Sequence, residues 1–190
     1  MTAGKRKKRG RTLSVVCILG IFVIITFAAP WICRKFFYPK AYGEYVELYS
    51  DRYSLDENFV YAVINTESGF DVKAESDVGA IGLMQIMEDA FKWTKRSLGV
   101  EHDEIVYTDL LVAEYNIEYG CCMLGYYYQK YGSYELAAAA YHAGTNQVDI
   151  WLEDGVIDIN DPDANDIPSD ATAHYVKKVM RAYQAYEALY

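Results

Sequence analysis

Val60-Tyr61-Ala62-Val63-Ile64-Asn65-Thr66-Glu67-Ser68-Gly69, followed after residues 70–79 by Ala80-Ile81-Gly82-Leu83-Met84-Gln85, is the stretch that decides how this chain reads. Val60, Val63, Ile64 and Glu67 keep the i, i+3, i+4, i+7 spacing of one helix face, so the carboxylate points the way the buried side chains point. Burial disfavours its ionised form. The negative end of the helix dipole at the Gly69 stop acts in the same direction, and together they raise the pKa as a general acid requires. The competing reading is a structural acid satisfied by a cation, yet between Arg52 and Lys92 the sequence offers only Lys73.

Outward from this stretch the pattern is helical, punctuated by glycines and acidic caps. A helix is expected over about residues 43–53, and Ser54-x-x-Glu57 has the form of a capping box opening the helix that ends at Glu67. Residues 69–82 lose helical period and form a loop that folds back over the helix end. Further helices are expected over about 88–98, 109–131, 136–143 and 146–153, and in a last one capped by Asp170. Gly120 and Gly125 inside the long 109–131 helix point to close packing against a neighbour. Residues 158–166, rich in Asp and Asn, form a loop. No period-2 strand or internal repeat stands out, so the fold class is all-α with minimal β at most.

The N-terminus is of a different kind. Lys5, Arg6, Lys7, Lys8, Arg9 and Arg11 precede an uncharged stretch from Thr12 to Cys33, whose apolar part from Leu13 to Ile32 rises about 30 Å as a helix, enough to cross a bilayer. Six cations before it, against Arg34 and Lys35 just after, put the N-terminus in the cytoplasm and residues 41–190 outside. The rival is a cleaved signal peptide with Thr26-Phe27-Ala28 as its cleavage site, but the apolar region exceeds the ~7–15 residues of a signal core. No lipobox precedes Cys17 or Cys33. The chain then divides into a basic tail (1–12), an anchor or signal (13–33), a linker (34–44) and a working domain (45–190).

Residues 1–40 carry nine of the 18 basic side chains and no acidic one, leaving the rest with nine basic against 27 acidic, a net of −18. Such a domain repels nucleic acid and anionic lipid. A glycan target is then bound by hydrogen bonds and stacking, for which 19 tyrosines are suited. Cys121 and Cys122 point about 100° apart on a helix and are expected as buried free thiols. His102, His142 and His174 are far apart and form no metal-ligand spacing, and phosphate-cradling glycine motifs are missing, so neither metal nor nucleotide cofactor is expected.

Four ordered blocks resemble the soluble lytic transglycosylase (SLT) domain family, which is related to goose-type lysozyme. They are Glu67-Ser68-Gly69-Phe70 with Ala74-x-Ser76 and Gly79 to Met87; Asn116-Ile117-x-x-Gly120; Ala138-Ala139-Ala140-Tyr141-His142-Ala143-Gly144; and Ile167-Pro168 with Thr172 and Tyr175 to Val179. The resemblance covers about residues 45–186. It implies a lysozyme-like helical domain that cleaves the β-1,4 bond between N-acetylmuramic acid and N-acetylglucosamine in peptidoglycan without water, Glu67 serving as acid and then as base. Substrate assistance removes the need for the second carboxylate of ordinary glycosidases. Asp71 and Glu75 fall on loop positions that the motif leaves free and read as solvated.

By the same resemblance Ser76 hydrogen-bonds the substrate's N-acetyl region, Met84 walls the cleft, Gln85 presents its amide to the sugar, and Tyr141 and Tyr175 position the N-acetyl group and the acid. Gly82, Leu83 and Ile86 read as packing residues. The chain departs from the family where His142 replaces the usual Asn, where Thr145 stands for a common Gly, and where Ala171 replaces an acidic residue. His142 still donates and accepts, but its protonation near neutral pH can change affinity. Two other functions compete: a hydrolytic muramidase of the same fold, and a catalytically idle wall-binding module within a cell-envelope assembly.

Overall fold

The computed structural model describes residues 16–17, 19–97, 99 and 104–190. The basic tail, the first residues of the expected span and part of the polar segment after Leu98 lie outside them. The described residues up to Pro39, with Leu189, and those from Lys40 to Ala188, with Tyr190, separate into two compact units. In the first, Leu19–Phe37 is a helix long and apolar enough, by length and composition, to cross a membrane. Its middle is not regular α-helix. Ile24–Ala28 and Cys33–Phe37 are wound as π-turns on either side of Ala29–Ile32, around Pro30, which lacks an N–H for the ladder.

From residue 40 onward the described residues form seven α-helices: α1 (Gly43–Arg52), α2 (Glu57–Glu67), α3 (Glu88–Ser97), α4 (Ala113–Tyr131), α5 (Tyr134–Ala143), α6 (Thr145–Glu153) and α7 (Asp170–Leu189). Among the described residues there is no strand; two isolated bridges, Glu75 with Ile81 and Ile81 with Ile86, fold the α2–α3 loop on itself. Helix α4 is the hub, packing against α1, α3 and α5 with Ile117, Tyr119, Cys121 and Leu124 fully buried. A Cβ at Gly120 would sit 2.2 Å from the Met84 sulfur, and one at Gly125 would meet the Tyr53 backbone at 2.9 Å, so both glycines serve close approach. Ala137, Ala138, Ala139 and Ala140 are buried, and their small size lets α5 pack directly on α4. Cys121 and Cys122 are buried free thiols.

Three local expectations need correction. The N-cap of α2 is Asp56, whose carboxylate accepts the Asn58 N–H at 2.7 Å, whereas Ser54 occupies a left-handed turn two residues earlier (φ 56°). The long helix does not begin at Asp109. Residues Tyr107–Leu111 form a separate 3₁₀ turn in which Asp109 accepts the Val106 N–H, and α4 starts at Ala113. Helix α7 is capped by Ser169, with Asp170 as its first residue, where an acidic side chain favours the positive end of the dipole.

Candidate active site

Glu67 closes α2, and the turn that follows is fixed by its neighbour. The Ser68 hydroxyl donates to the Leu83 carbonyl at 2.8 Å and accepts the Phe70 N–H at 3.1 Å, pinning the returning loop to the helix end. Sequence reasoning saw Ser68 only as part of a motif. From α7, the Tyr175 hydroxyl donates to Glu67 Oε1 at 2.6 Å, across 108 residues of chain. Burial pushes the Glu67 pKa up to about 7, against the opposing pull of the Tyr175 hydrogen bond and the Lys178 ammonium. Glu67 thus holds its proton near neutrality and can release it there.

The loop between α2 and α3 is built on Asn116. Fully buried on α4, its Oδ1 accepts the Met84 N–H at 2.7 Å, while its Nδ2 donates to the Ile81 and Leu110 carbonyls at 3.1 and 2.9 Å. Gly82 lies against this amide: with φ at 78°, an added Cβ would fall 2.1 Å from Asn116 Nδ2 and 2.5 Å from the Leu110 oxygen. The Tyr107 hydroxyl lies 2.6 Å from the Gly79 carbonyl and 2.9 Å from that of Ile86, bracing the outer part of the loop.

The remaining site residues differ in what they leave available. Tyr141 donates to the Met84 carbonyl at 2.7 Å, and its electrostatic contact with Glu67 puts it beside the acid. The Met84 side chain is wholly buried against Gly120, so it supports the loop from within. Gln85 adopts a left-handed backbone (φ 47°) and spends both Nε2 hydrogens on the Ala74 and Gly82 carbonyls, leaving only Oε1 for a ligand. The Ser76 hydroxyl oxygen accepts the Ala80 N–H at 2.9 Å within a tight turn. The His142 ring lies tilted against Tyr175 with ring centroids 4.7 Å apart, and 3.2 Å from the Thr172 hydroxyl. The residue as a whole is exposed, but the covered part of its ring lowers its pKa.

Asp71 and Glu75 are exposed; Asp71 accepts the Lys73 N–H in its own turn. A cavity of about 760 Å³, lined among others by Glu44, Asp51, Leu55 and Asn58, lies at the N-terminal end of α2, roughly 15 Å of helix from Glu67. Its place sets it apart from Glu67. Among the described residues no group of His, Cys, Asp and Glu could hold a metal ion.

The family model for the transglycosylase SLT domain matches residues 44–156. The chain belongs to this family. It is 34% identical over 151 residues to the soluble lytic murein transglycosylase of Salmonella typhimurium, covering 78% of this chain and 23% of that protein. Its structure superposes on the 70 kDa soluble lytic transglycosylase of Escherichia coli with a TM-score of 0.72 at 31% identity, covering 80% of this chain and 25% of that one. Against an inactive mutant of Pseudomonas aeruginosa Slt, in which a glutamate is replaced by glutamine, the TM-score is 0.69 at 29% identity, over 80% of this chain and 24% of that one. The fold is thus the lysozyme-like helical fold of these enzymes. The chain spans about a quarter of the length of the relatives it matches.

Proposed function

We propose that this protein is a peptidoglycan lytic transglycosylase that cleaves the β-1,4 bond between N-acetylmuramic acid and N-acetylglucosamine and leaves 1,6-anhydromuramic ends. The observation that carries the reading is a half-buried glutamate whose proton is held near neutral pH and whose Oε1 is occupied by Tyr175. With Oε1 accepting that bond, the proton sits on Oε2. It passes to the glycosidic oxygen as the C1–O bond breaks, and the substrate's own N-acetyl oxygen supports the electron-poor C1. The Glu67 carboxylate then takes the proton of the muramic C6 hydroxyl, whose oxygen closes onto C1. No water is consumed and Glu67 ends protonated. This single-residue cycle suits a site whose nearest carboxylates in sequence, Asp71 and Glu75, face solvent. The relatives that bear the name soluble lytic murein transglycosylase, and the inactive glutamate-to-glutamine mutant among them, support it.

The same reading gives the loop residues substrate roles. Ser76 faces the N-acetyl region through its hydroxyl hydrogen, Gln85 offers Oε1, Met84 fixes the wall from behind, and Tyr141 and His142 flank the muramic residue. Residues 45–190 form the catalytic domain, carried outside the cell by an anchor at 13–33 behind the 1–12 basic tail and joined to it by the 34–44 linker. The exposed apolar side chains of Leu19–Phe37 support an anchor, and glycan strands are the partner. Glu67→Gln keeps the shape of the acid and removes its proton. It still binds isolated glycan strands while turnover falls by at least ~100-fold, the low end for loss of general acid–base catalysis; an active variant excludes Glu67 from the chemistry.

A further inference from the structure

Helix α7 delivers two donors to the end of α2, not one. Tyr175 reaches the Glu67 carboxyl, and one turn later the Lys178 ammonium donates to the carbonyl of Thr66 at 3.0 Å, the residue just before the acid. Spacing of i, i+3 puts both on the same face of α7. The Thr66 carbonyl is among the last four of α2, which have no partner within the helix and carry its negative pole. A cation bonded there opposes the field that keeps a carboxylate at a helix C-terminus protonated.

We propose that Lys178 is a positioning residue of this site: from the adjacent helix it neutralises the C-terminal end of α2 and supports Glu67 in its ionised, proton-accepting form. The inference rests on the reading of Glu67 as acid and then base. The first half of the cycle needs the proton present and the second needs a stable carboxylate, so a site governed by burial alone would favour only the first. Among the described residues the titratable groups that act on Glu67 are Tyr175 and Lys178 from α7 and Tyr141 from α5, with His142 tilted against Tyr175. Both tyrosine hydroxyls are held far above their ordinary pKa by burial and stay neutral, and the covered His142 ring is shifted toward its neutral form. Asp71 and Glu75, on the loop, point to solvent. Lys178 is therefore the full positive charge acting on the acid in this set. It is exposed, so its effect is moderate and sensitive to salt.

The experiment reads Glu67 directly, with no dependence on turnover. The full-length chain, labelled with ¹³C at glutamate side chains and held in detergent micelles, is titrated by NMR, the Glu67 signal being the one lost in Glu67→Gln. Lys178→Met raises the Glu67 midpoint by roughly half a unit, as expected for an exposed neighbouring charge. Lys178→Arg stays at the wild-type value. Lys177→Met, which removes the same net charge one position away, also stays there. An unchanged midpoint in Lys178→Met overturns the proposal, and an equal shift in Lys177→Met reduces it to net charge. If the wild type proves inactive on peptidoglycan, the lytic reading fails while the titration still decides the coupling.

Discussion

At Glu67 the balance between burial and hydrogen bonding makes the same carboxyl both useful and costly. Its folded-state pKa of about 7 lies above the ordinary 4.5, so the folded chain holds this proton more tightly than the unfolded one. The stability this contributes is complete below about pH 4.5 and is lost as pH rises through about 7. At ~1.4 kcal/mol per unit, the ionised carboxylate costs up to about 3.5 kcal/mol above neutrality. Glu67→Gln should therefore be more stable than wild type at about pH 8 and indistinguishable from it near pH 4, as read by chemical denaturation at the two pH values. At His142, burial of part of the ring shifts its titration below the ordinary 6.5. His142→Asn should match wild-type activity from about pH 7 upward and depart from it only on the acid side.

Among the elements, α4 and the α2–α3 loop are joined through one side chain. Asn116→Ala leaves the Met84 N–H and the Leu110 carbonyl without the amide that satisfies them in a buried place, while the Ile81 carbonyl keeps the Ile86 N–H, at a cost of about 2 kcal/mol or more. Gly82→Ala adds a left-handed strain and an overlap with the same amide, and should lose about 2 kcal/mol or more. Thermal melts measure both, and a near-neutral result at either position would remove it from the loop's support. The helices themselves were legible in the apolar period and the glycine stops, and the inward direction of Glu67 followed from the same stripe. What completes the site was not legible in that pattern. Tyr175 was reached only through the family resemblance and Lys178 was given no role, because both come from a helix more than a hundred residues further along the chain and periodicity within α2 carries no sign of them. Likewise, the loop's polar residues looked free for a ligand, but Gln85 and Ser76 first satisfy backbone groups that the tight turns leave open. The caps at Asp56 and Ser169 were missed because neighbouring Ser54 and Asp170 are equally good capping types, and only backbone geometry chooses between them.

For the molecule as a whole, charge and hydropathy divide the chain into a cationic and apolar N-terminal part and a domain of net charge −18. The anchor reading expects full-length protein in the membrane fraction, with its C-terminus open to protease only from outside; a soluble form beginning near Ala29 would establish cleavage instead. The acidic domain also expects glycan binding to survive high salt, since stacking and hydrogen bonding, not bulk attraction, hold the strand. Binding that weakens steeply between low and high salt would argue for a cationic ligand group. The central claim is that one half-buried carboxyl cleaves the glycan strand without water. Mass spectrometry of the muropeptides released from purified peptidoglycan tests it most directly: the wild type should yield 1,6-anhydromuramic ends with no reducing muramic end, and Glu67→Gln should yield almost none. Dominant reducing ends from the wild type would make water the acceptor and the protein a muramidase, and wall binding without any release would make it a scaffold.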